Sequence, residues 1–518
     1  MYVTEQVISI GLEGMKGHPV IVEANVRDDK DACVIIGLPD GAMKESKERI
    51  LSCLHELEVD VTMKKITIHL SPADKRKTGT GHDCAMLIAV LQKVLLEPIP
   101  IGKNTCFLAA LSLTGNLMPF HGLIPAIQQA ILLGFERIII PPINLDVLEG
   151  LDAVELIRIH SLTDVLAYLR GQEILELNTS TSIVLHEASA SNEVEHETNF
   201  KDIRGHQQAK RVLEIAAAGG HHVLLSGPPG CGKTMLADAF HTILPDFHND
   251  EMLEVFGIYH LAKESRGFSN RPPYRNPHHS ASAVSLIGGG TFPKPGEISL
   301  AHKGVLFLDE LGEFSRKALD MLRQPMESGE VTISRVRQTV TYPSSFTLIA
   351  ATNPCPCGYF GSHERYCTCT TKQIKTYQLK ASGPLLDRMD FILNVKSVGM
   401  TDASFAESST MIRTRVEIAR AKQRVRYNGN GLNGNVPFAV INKHCTLSDS
   451  QKESLQQICF DEKWSNRTQA KLVRIARTIA DLANEETITN ASIEEAVEWK
   501  KIASEIQTTT NENAIHRS

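Results

Sequence analysis

Residues 223–240, VLLSGPPGCGKTMLADAF, leave the surrounding chain few choices of fold. A short apolar run leads into a glycine-rich turn, and the turn opens directly into a helix-forming run. From Gly227 to Thr234 the pattern is that of a phosphate loop in its required strand–turn–helix context. The glycines let main-chain N–H groups face phosphate oxygens, and the helix N-terminus adds its positive end. Gly227, Pro228, Pro229, Gly230, Cys231 and Gly232 are thus expected to cradle ATP. Lys233 should reach the β- and γ-phosphates, and Thr234 should hold Mg2+. Cys231 fills the variable position of the loop and is read as a spacer, not a nucleophile.

Three further stretches complete a hydrolysis site. GVLFLDEL is an apolar strand ending in Asp309 and Glu310. A carboxylate at a strand tip can hold magnesium and the next can polarise the attacking water, so Asp309 is assigned to the metal and Glu310 to the water. FTLIAATN ends a second apolar strand on Asn353, an amide suited to orient that water. GPLLDRMDFIL carries Arg388, either an arginine finger for a neighbouring subunit or a partner of Asp387 or Asp390. SNRTQAKLVRIARTIADLA places Arg467, Lys471 and Arg474 on one helix face. Arg467 can close over the γ-phosphate, or the face is simply a solvated basic one.

The rest of the chain divides around this unit. Residues 1–170 alternate strand-like runs (GHPVIVEANV, ACVIIGL, KKITIHL, NTCFLAALSL, ERIIIPP) with helical ones, a first α/β domain. Residues 171–200 are polar, acidic and Ser/Thr-rich, the composition of a linker. The second α/β unit runs over 201–395, a helical domain over 396–506, and a polar tail, expected to fray, over 507–518. A net charge of −6 argues against global attraction to nucleic acid but allows a local basic groove. No apolar run is long enough to span a bilayer and no signal peptide is evident. A cytoplasmic location and reduced thiols for the 11 cysteines are therefore expected.

Two inserts carry candidate DNA contacts. GFSNRPPYRNPHHSASAVSLIGGG holds Arg271, Tyr274, Arg275, His278 and His279 ahead of a glycine run, basic and aromatic residues on a mobile loop. ESGEVTISRVRQTVTYPSSF is expected to form a hairpin with Arg335 and Arg337 near its tip. Subunit packing explains these residues equally well. Adjacent His278 and His279 are expected to point different ways, which argues against a metal pair. Directly after Asn353, CPCGYFGSHERYCTC brings Cys355, Cys357, Cys367 and Cys369 together. Four thiolates suit a structural Zn2+, although C-x-C is tighter than the usual C-x2-C. Free thiols and a redox switch remain the alternatives.

These motifs together resemble AAA+ ATPases. DIRGHQQAKRVLEIAAAGGHHVLLSGPPGCGKT, RNPHHSASAVSLIGGG, PKPGEISLAHKGVLFLDELGEF and LLDRMD resemble the magnesium-chelatase-like branch, and with the N-terminal domain the resemblance extends to the ComM (YifB) family. It implies an AAA+ core with a helical lid behind a Lon-protease-like α/β domain. It also implies a homo-hexameric ring hydrolysing ATP at subunit interfaces, and a DNA motor driving branch migration during natural transformation. Single-stranded or branched DNA and recombination proteins are then the expected partners. Ile203, Arg204 and Gly205 match the segment that walls the adenine, and Arg467 matches the second sensor. Lys471 stands where close relatives are expected to have arginine.

The active Lon protease uses a Ser–Lys pair, and the corresponding stretches here are TGTGHDCAM and HGLIPAI. Gly81 and Ile124 stand near those places, so no peptidase activity is expected. Thr80, His82 and Cys84 are weak substitutes. The competing function is a chelatase-type remodelling subunit acting on a protein partner. A transcriptional activator would normally add a helix-turn-helix, and none is evident at the C-terminus.

Overall fold

The computed structural model describes residues 6–77, 79–143, 154–172, 198–264, 266, 269–290, 293–335, 338–361, 365–380, 383–398, 407–429 and 431–515. Most of the expected linker lies outside this range. The chain forms two compact units, one made of Met1–Asn192 with Asn249–Ser269, the other of Glu193–His248 with Asn270–Ser518.

In the first unit a four-stranded sheet runs in the order Val7–Glu13, Lys16–Asp28, Lys64–Ser71, Ala32–Ile36. The first three strands are antiparallel neighbours, and Ala32–Ile36 lies parallel to Lys64–Ser71. Glu13 pairs with Lys16 across a two-residue turn in which Gly14 takes φ 66°, the left-handed geometry such hairpins need. Alternation in Lys16–Asp28 turns Val20, Val22 and Ala24 inward. A second sheet joins Thr105–Phe107, Arg137–Ile140 and Glu155–Arg158, all parallel. The helix Asp83–Val94 is buried from Asp83 through Leu91, so it carries no amphipathic period and the sequence pattern passes over it. Helix Leu123–Leu132 packs against helix Asn249–Ala262, which returns to this unit from far along the chain.

In the second unit five parallel strands run in the order Tyr274–Arg275, Val305–Leu308, Thr347–Thr352, Val223–Ser226, Phe391–Asn394. Val305, Phe307, Ile349, Ala351, Val223, Leu225, Phe391 and Leu393 are buried, as expected of a sheet covered on both faces. The strand feeding the phosphate loop therefore lies between two later strands, and every functional turn leaves from the same carboxyl edge.

The helices Ser409–Arg426, Phe438–His444, Asp449–Asp461, Asn466–Leu482 and Asn490–Ile515 follow. Ser408, Ser448 and Ser465 cap three of them through side-chain bonds to backbone N–H groups three residues on. Asn466–Leu482 buries Leu472, Ile475, Ala476 and Ile479 along one stripe that joins the core around the five-stranded sheet. The last helix continues through most of the tail expected to fray, because 507–515 contain neither glycine nor proline to stop it. Among the described residues no helix is long and apolar enough to cross a membrane.

Candidate active site

The phosphate loop is held by its neighbours' backbones. Gly227 N–H donates to Thr352 O at 3.2 Å, and Val395 N–H donates to Ser226 O at 2.7 Å. A Cβ at residue 227 would lie 2.2 Å from Val395 O, so only glycine fits. Gly230 and Gly232 take φ 76° and 90°, aiming the loop's amides before helix Lys233–Thr242 begins.

Lys233 is buried, and its Nζ donates to Gly227 O at 2.8 Å, Pro228 O at 2.9 Å and Asn353 Oδ1 at 3.2 Å. Burial pulls its pKa below the usual lysine value, against the opposing pull of Cys231 and Asp309. The ammonium thus borrows the loop's own carbonyls, which a phosphate would replace with charge-assisted bonds. Thr234 Oγ1 donates to Asp309 Oδ2 at 3.2 Å, while Asp309 Oδ1 accepts from Glu310 N–H at 2.8 Å. A hydroxyl and a carboxylate converging beside a phosphate loop fit a hard divalent cation. Glu310 itself sits at φ 50°, in the left-handed region, with its carboxylate about half exposed. Its Oε2 lies 3.2 Å from His279 Nδ1. His279 was not singled out for this role in the sequence; only its place after the edge strand Tyr274–Arg275 hints at it.

The segment expected to wall the base approaches the same loop. Ile203 is buried, and its carbonyl accepts from Lys210 Nζ. Gly205 and His206 both take positive φ, and a Cβ on Gly232 would lie 3.6 Å from His206 Nε2.

The two candidate arginines converge on one carboxylate. Glu327 Oε1 lies 2.7 Å from Arg388 Nη2 and 2.6 Å from Arg467 Nη2. Arg388 also donates to Arg323 O and Pro384 O. Neither Asp387 nor Asp390 is its partner; the pairing suggested by sequence proximity gives way to Glu327, which helix Arg323–Ser328 presents. Asp390 instead faces Lys471, 3.6 Å away, and His221. Burial alone would raise its pKa, but Lys471 and His221 hold it well below the usual carboxylate range.

Tyr274 and Arg275 are not on a mobile loop. They form the edge strand paired with Val305 and Leu306. The Tyr274 hydroxyl donates to Asp238 at 2.8 Å and its ring stacks near Phe307, while Arg275 makes a two-pronged contact with Glu297 at 2.7 and 2.8 Å. Both half-buried side chains are engaged by carboxylates of neighbouring helices, so they are not the free loop residues that the sequence suggests. His278 is exposed and bonds Ser280, and its ring centroid lies 4.0 Å from that of His279, so the two histidines pack together instead of diverging. Arg271 is exposed. The expected hairpin forms from Glu330–Arg335 and Gln338–Pro343, with exposed Arg335 at its last pair. Arg337 lies outside the described residues.

The four cysteines meet. Their Sγ atoms all lie within 4.8 Å of one another, with Cys355 3.3 Å from Cys357 and 3.7 Å from Cys367. Four ligating sulfurs on a zinc ion at about 2.3 Å would stand about 3.8 Å apart, so the set fits that ion. None of the thiols is in a disulfide.

In the first unit the place of a Lon nucleophile is filled. A Cβ on Gly81 would lie 2.5 Å from the Phe120 ring, and Ile124 is fully buried. His82 faces Ser9, with Nδ1 2.8 Å from Oγ, and burial lowers its pKa to about 4. Burial pushes the Cys84 thiol up to about 12. These are the properties of packed core groups.

Family models for magnesium chelatase, subunit ChlI, match residues 199–403, for subunit ChlI of Mg-chelatase residues 22–144, and for its ChlI C-terminal part residues 406–500. The uncharacterized protein YifB of Escherichia coli K12 is 38% identical over 94% of this chain and 95% of its own length. The competence protein ComM of Haemophilus influenzae is 36% identical over 96% of this chain and 97% of its own length. The chain belongs to the YifB/ComM family of magnesium-chelatase-like AAA+ proteins. Lon protease 2 of Bacillus subtilis is 28% identical over 142 residues, 26% of this chain. In this YifB/ComM chain the sequence motifs find the phosphate loop, Asp309, Glu310 and Asn353. They pass over Glu327 and the place of His279 beside Glu310, because these partners are distant in sequence.

Proposed function

We propose that this protein is an ATP-driven DNA motor, a homo-hexameric helicase or branch-migration translocase acting on single-stranded or branched DNA. Its process is recombination during natural transformation. The observation that carries the reading is similarity to a competence protein ComM over 96% of the chain, supported by the bonds that join Lys233 to Asn353 and Thr234 to Asp309.

When bound, ATP supplies the cleavable phosphoanhydride and Mg2+ offsets its charge. Thr234 and Asp309 would hold the metal and Lys233 the outer phosphates. Glu310 takes the proton side of water attack, and Asn353 orients that water from the next strand. Ile203 and Gly205 would face the adenine. Arg388 serves a neighbouring subunit and Arg467 closes over its own γ-phosphate, each after leaving Glu327. Arg271, His278, Arg335 and Arg337 are the proposed DNA contacts, and the four cysteines hold a structural Zn2+. Residues 1–170, 201–395 and 396–506 are the Lon-like, ATPase and lid domains, with Asn249–Ser269 of the middle range returning to the first unit.

The test is movement of a synthetic four-way junction with ATP, with Glu310→Gln as control. Movement by the wild type and none by the variant supports the motor. ATP hydrolysis without junction movement, and without stimulation by any DNA, overturns it in favour of remodelling of a protein partner.

A further inference from the structure

The cysteine loop touches the nucleotide site at two places. Gly358, between the two Cys pairs, takes φ 84°, and a Cβ there would lie 2.5 Å from Pro229 of the phosphate loop. The helix that follows the loop, Thr371–Gln378, brings the Tyr377 ring over Gly312, where a Cβ would lie 2.5 Å from ring Cζ. Gly312 lies two residues beyond Glu310. Gln378 Nε2 also donates to Pro354 O at 3.0 Å, closing the segment back on the residue after Asn353.

Beyond these contacts, the described residues add the Lys380–Glu313 ion pair at 3.7 Å and packing of helix Thr371–Gln378 on helix Asn490–Ile515. The segment's small core consists of buried Cys355, Cys367 and Ile374, with Phe360, Cys357 and Cys369 partly buried around it. Most of that core is thiol, and a metal is what lets so few side chains order a loop. Phe360 N–H donates to Cys355 Sγ at 3.3 Å, the kind of outer bond that orients a metal-bound sulfur.

We propose that Zn2+ on Cys355, Cys357, Cys367 and Cys369 clamps the phosphate loop, so that metal occupancy and nucleotide affinity rise and fall together. The metal fixes Gly358 against Pro229 and Tyr377 against Gly312. Without it the loop and the end of the acidic strand lose their outer wall. Coupling of this kind is reciprocal: nucleotide also tightens the hold on zinc. The proposal rests on the nucleotide-site assignment above.

The experiment uses the full chain and a fluorescent ATP analogue with Mg2+. Bound zinc is counted, the thiols are stripped with a mercurial and chelator, reductant is added, and Zn2+ is then restored. The expected result is one zinc per chain, a loss of analogue affinity of about tenfold or more on stripping, and recovery with Zn2+. Co2+ in place of Zn2+ should give the intense sulfur-to-cobalt band of four thiolates, and Cys369→Ser should weaken that band. Gly358→Val, which strains a left-handed position and also meets Pro229, should lose affinity for the analogue, with the cobalt band reporting whether the metal site survives. Unchanged analogue affinity in stripped protein overturns the clamp while leaving the nucleotide site standing. Absence of the cobalt band overturns the metal site. Failure of zinc-loaded protein to bind the analogue at all overturns the nucleotide assignment instead.

Discussion

His279 Nδ1 lies 3.2 Å from Glu310 Oε2, so the carboxylate proposed to polarise water is already engaged by a histidine from the segment after the edge strand. A carboxylate shared with an imidazole is a poorer acceptor for a water proton. His279→Ala is expected to raise ATP hydrolysis in the absence of DNA by about tenfold or more, on the order of one hydrogen bond to a charged group. Steady-state phosphate release measures it. A fall in basal turnover would make His279 a support for Glu310 and not a restraint.

Arg388 and Arg467 share Glu327, whose side chain is 48% exposed. Glu327→Ala should therefore cost little stability, about 1 kcal/mol or less by thermal unfolding, while changing turnover because both arginines are released. Arg388→Ala should lose turnover, and mixing it with Lys233→Ala subunits should restore part of it, since the second variant lends an intact Arg388. No recovery in mixed assemblies would place the Arg388 effect within its own subunit.

His222 gives the fold a pH signature. Leu348 N–H donates to His222 Nδ1 at 3.0 Å, which requires that nitrogen unprotonated. Burial, reinforced by Lys471 and His221 and opposed by Asp390, lowers the pKa to about 4. The unfolded histidine titrates near about 6.5, so between these values the unfolded chain holds more protons. Stability is complete above that window and falls as pH drops through it, by up to about 3 kcal/mol. Melting temperature should decline from pH 7 to pH 5, and His222→Gln, whose amide oxygen can still accept from Leu348, should decline less steeply. Equal slopes for the two proteins would dismiss His222 as the source.

Gly81→Ser restores a hydroxyl near the place of the Lon nucleophile, yet its Cβ would meet the Phe120 ring. Overpacking of this kind costs about 1–3 kcal/mol. The variant should melt earlier and digest no casein. Casein digestion would show that the pocket can be reopened.

The legible parts of this molecule are those whose chemistry is local. Gly227 to Thr234 must follow a strand and open a helix, and they do. Asp309, Glu310 and Asn353 sit at the ends of apolar strands, and the strand ends align because Leu308 pairs with Ala350 and Ser226 with Thr352. The four cysteines declare themselves by proximity. Illegible were relations set by packing at long range. Glu327 lies 140 residues from Arg467 in the chain. Asp83–Val94 hides its helix because every face is buried. Tyr274 and Arg275 look like a charged loop because a two-residue edge strand carries no period to recognise.

Helix Asn249–Ala262 has a consequence for inheritance. It belongs with residues 1–192, although residues 193–248 and 270–518 on either side of it build the other unit. Its Gly257 packs beside Met15, Pro125 and Gln128, and its His260 ring lies 5.4 Å from that of His121. A gene beginning near residue 192 would encode this helix with those partners missing. A gene ending there would encode the partners with the helix missing. The two units cannot be traded as cassettes by a single crossover, so they must descend, and be engineered, as one piece.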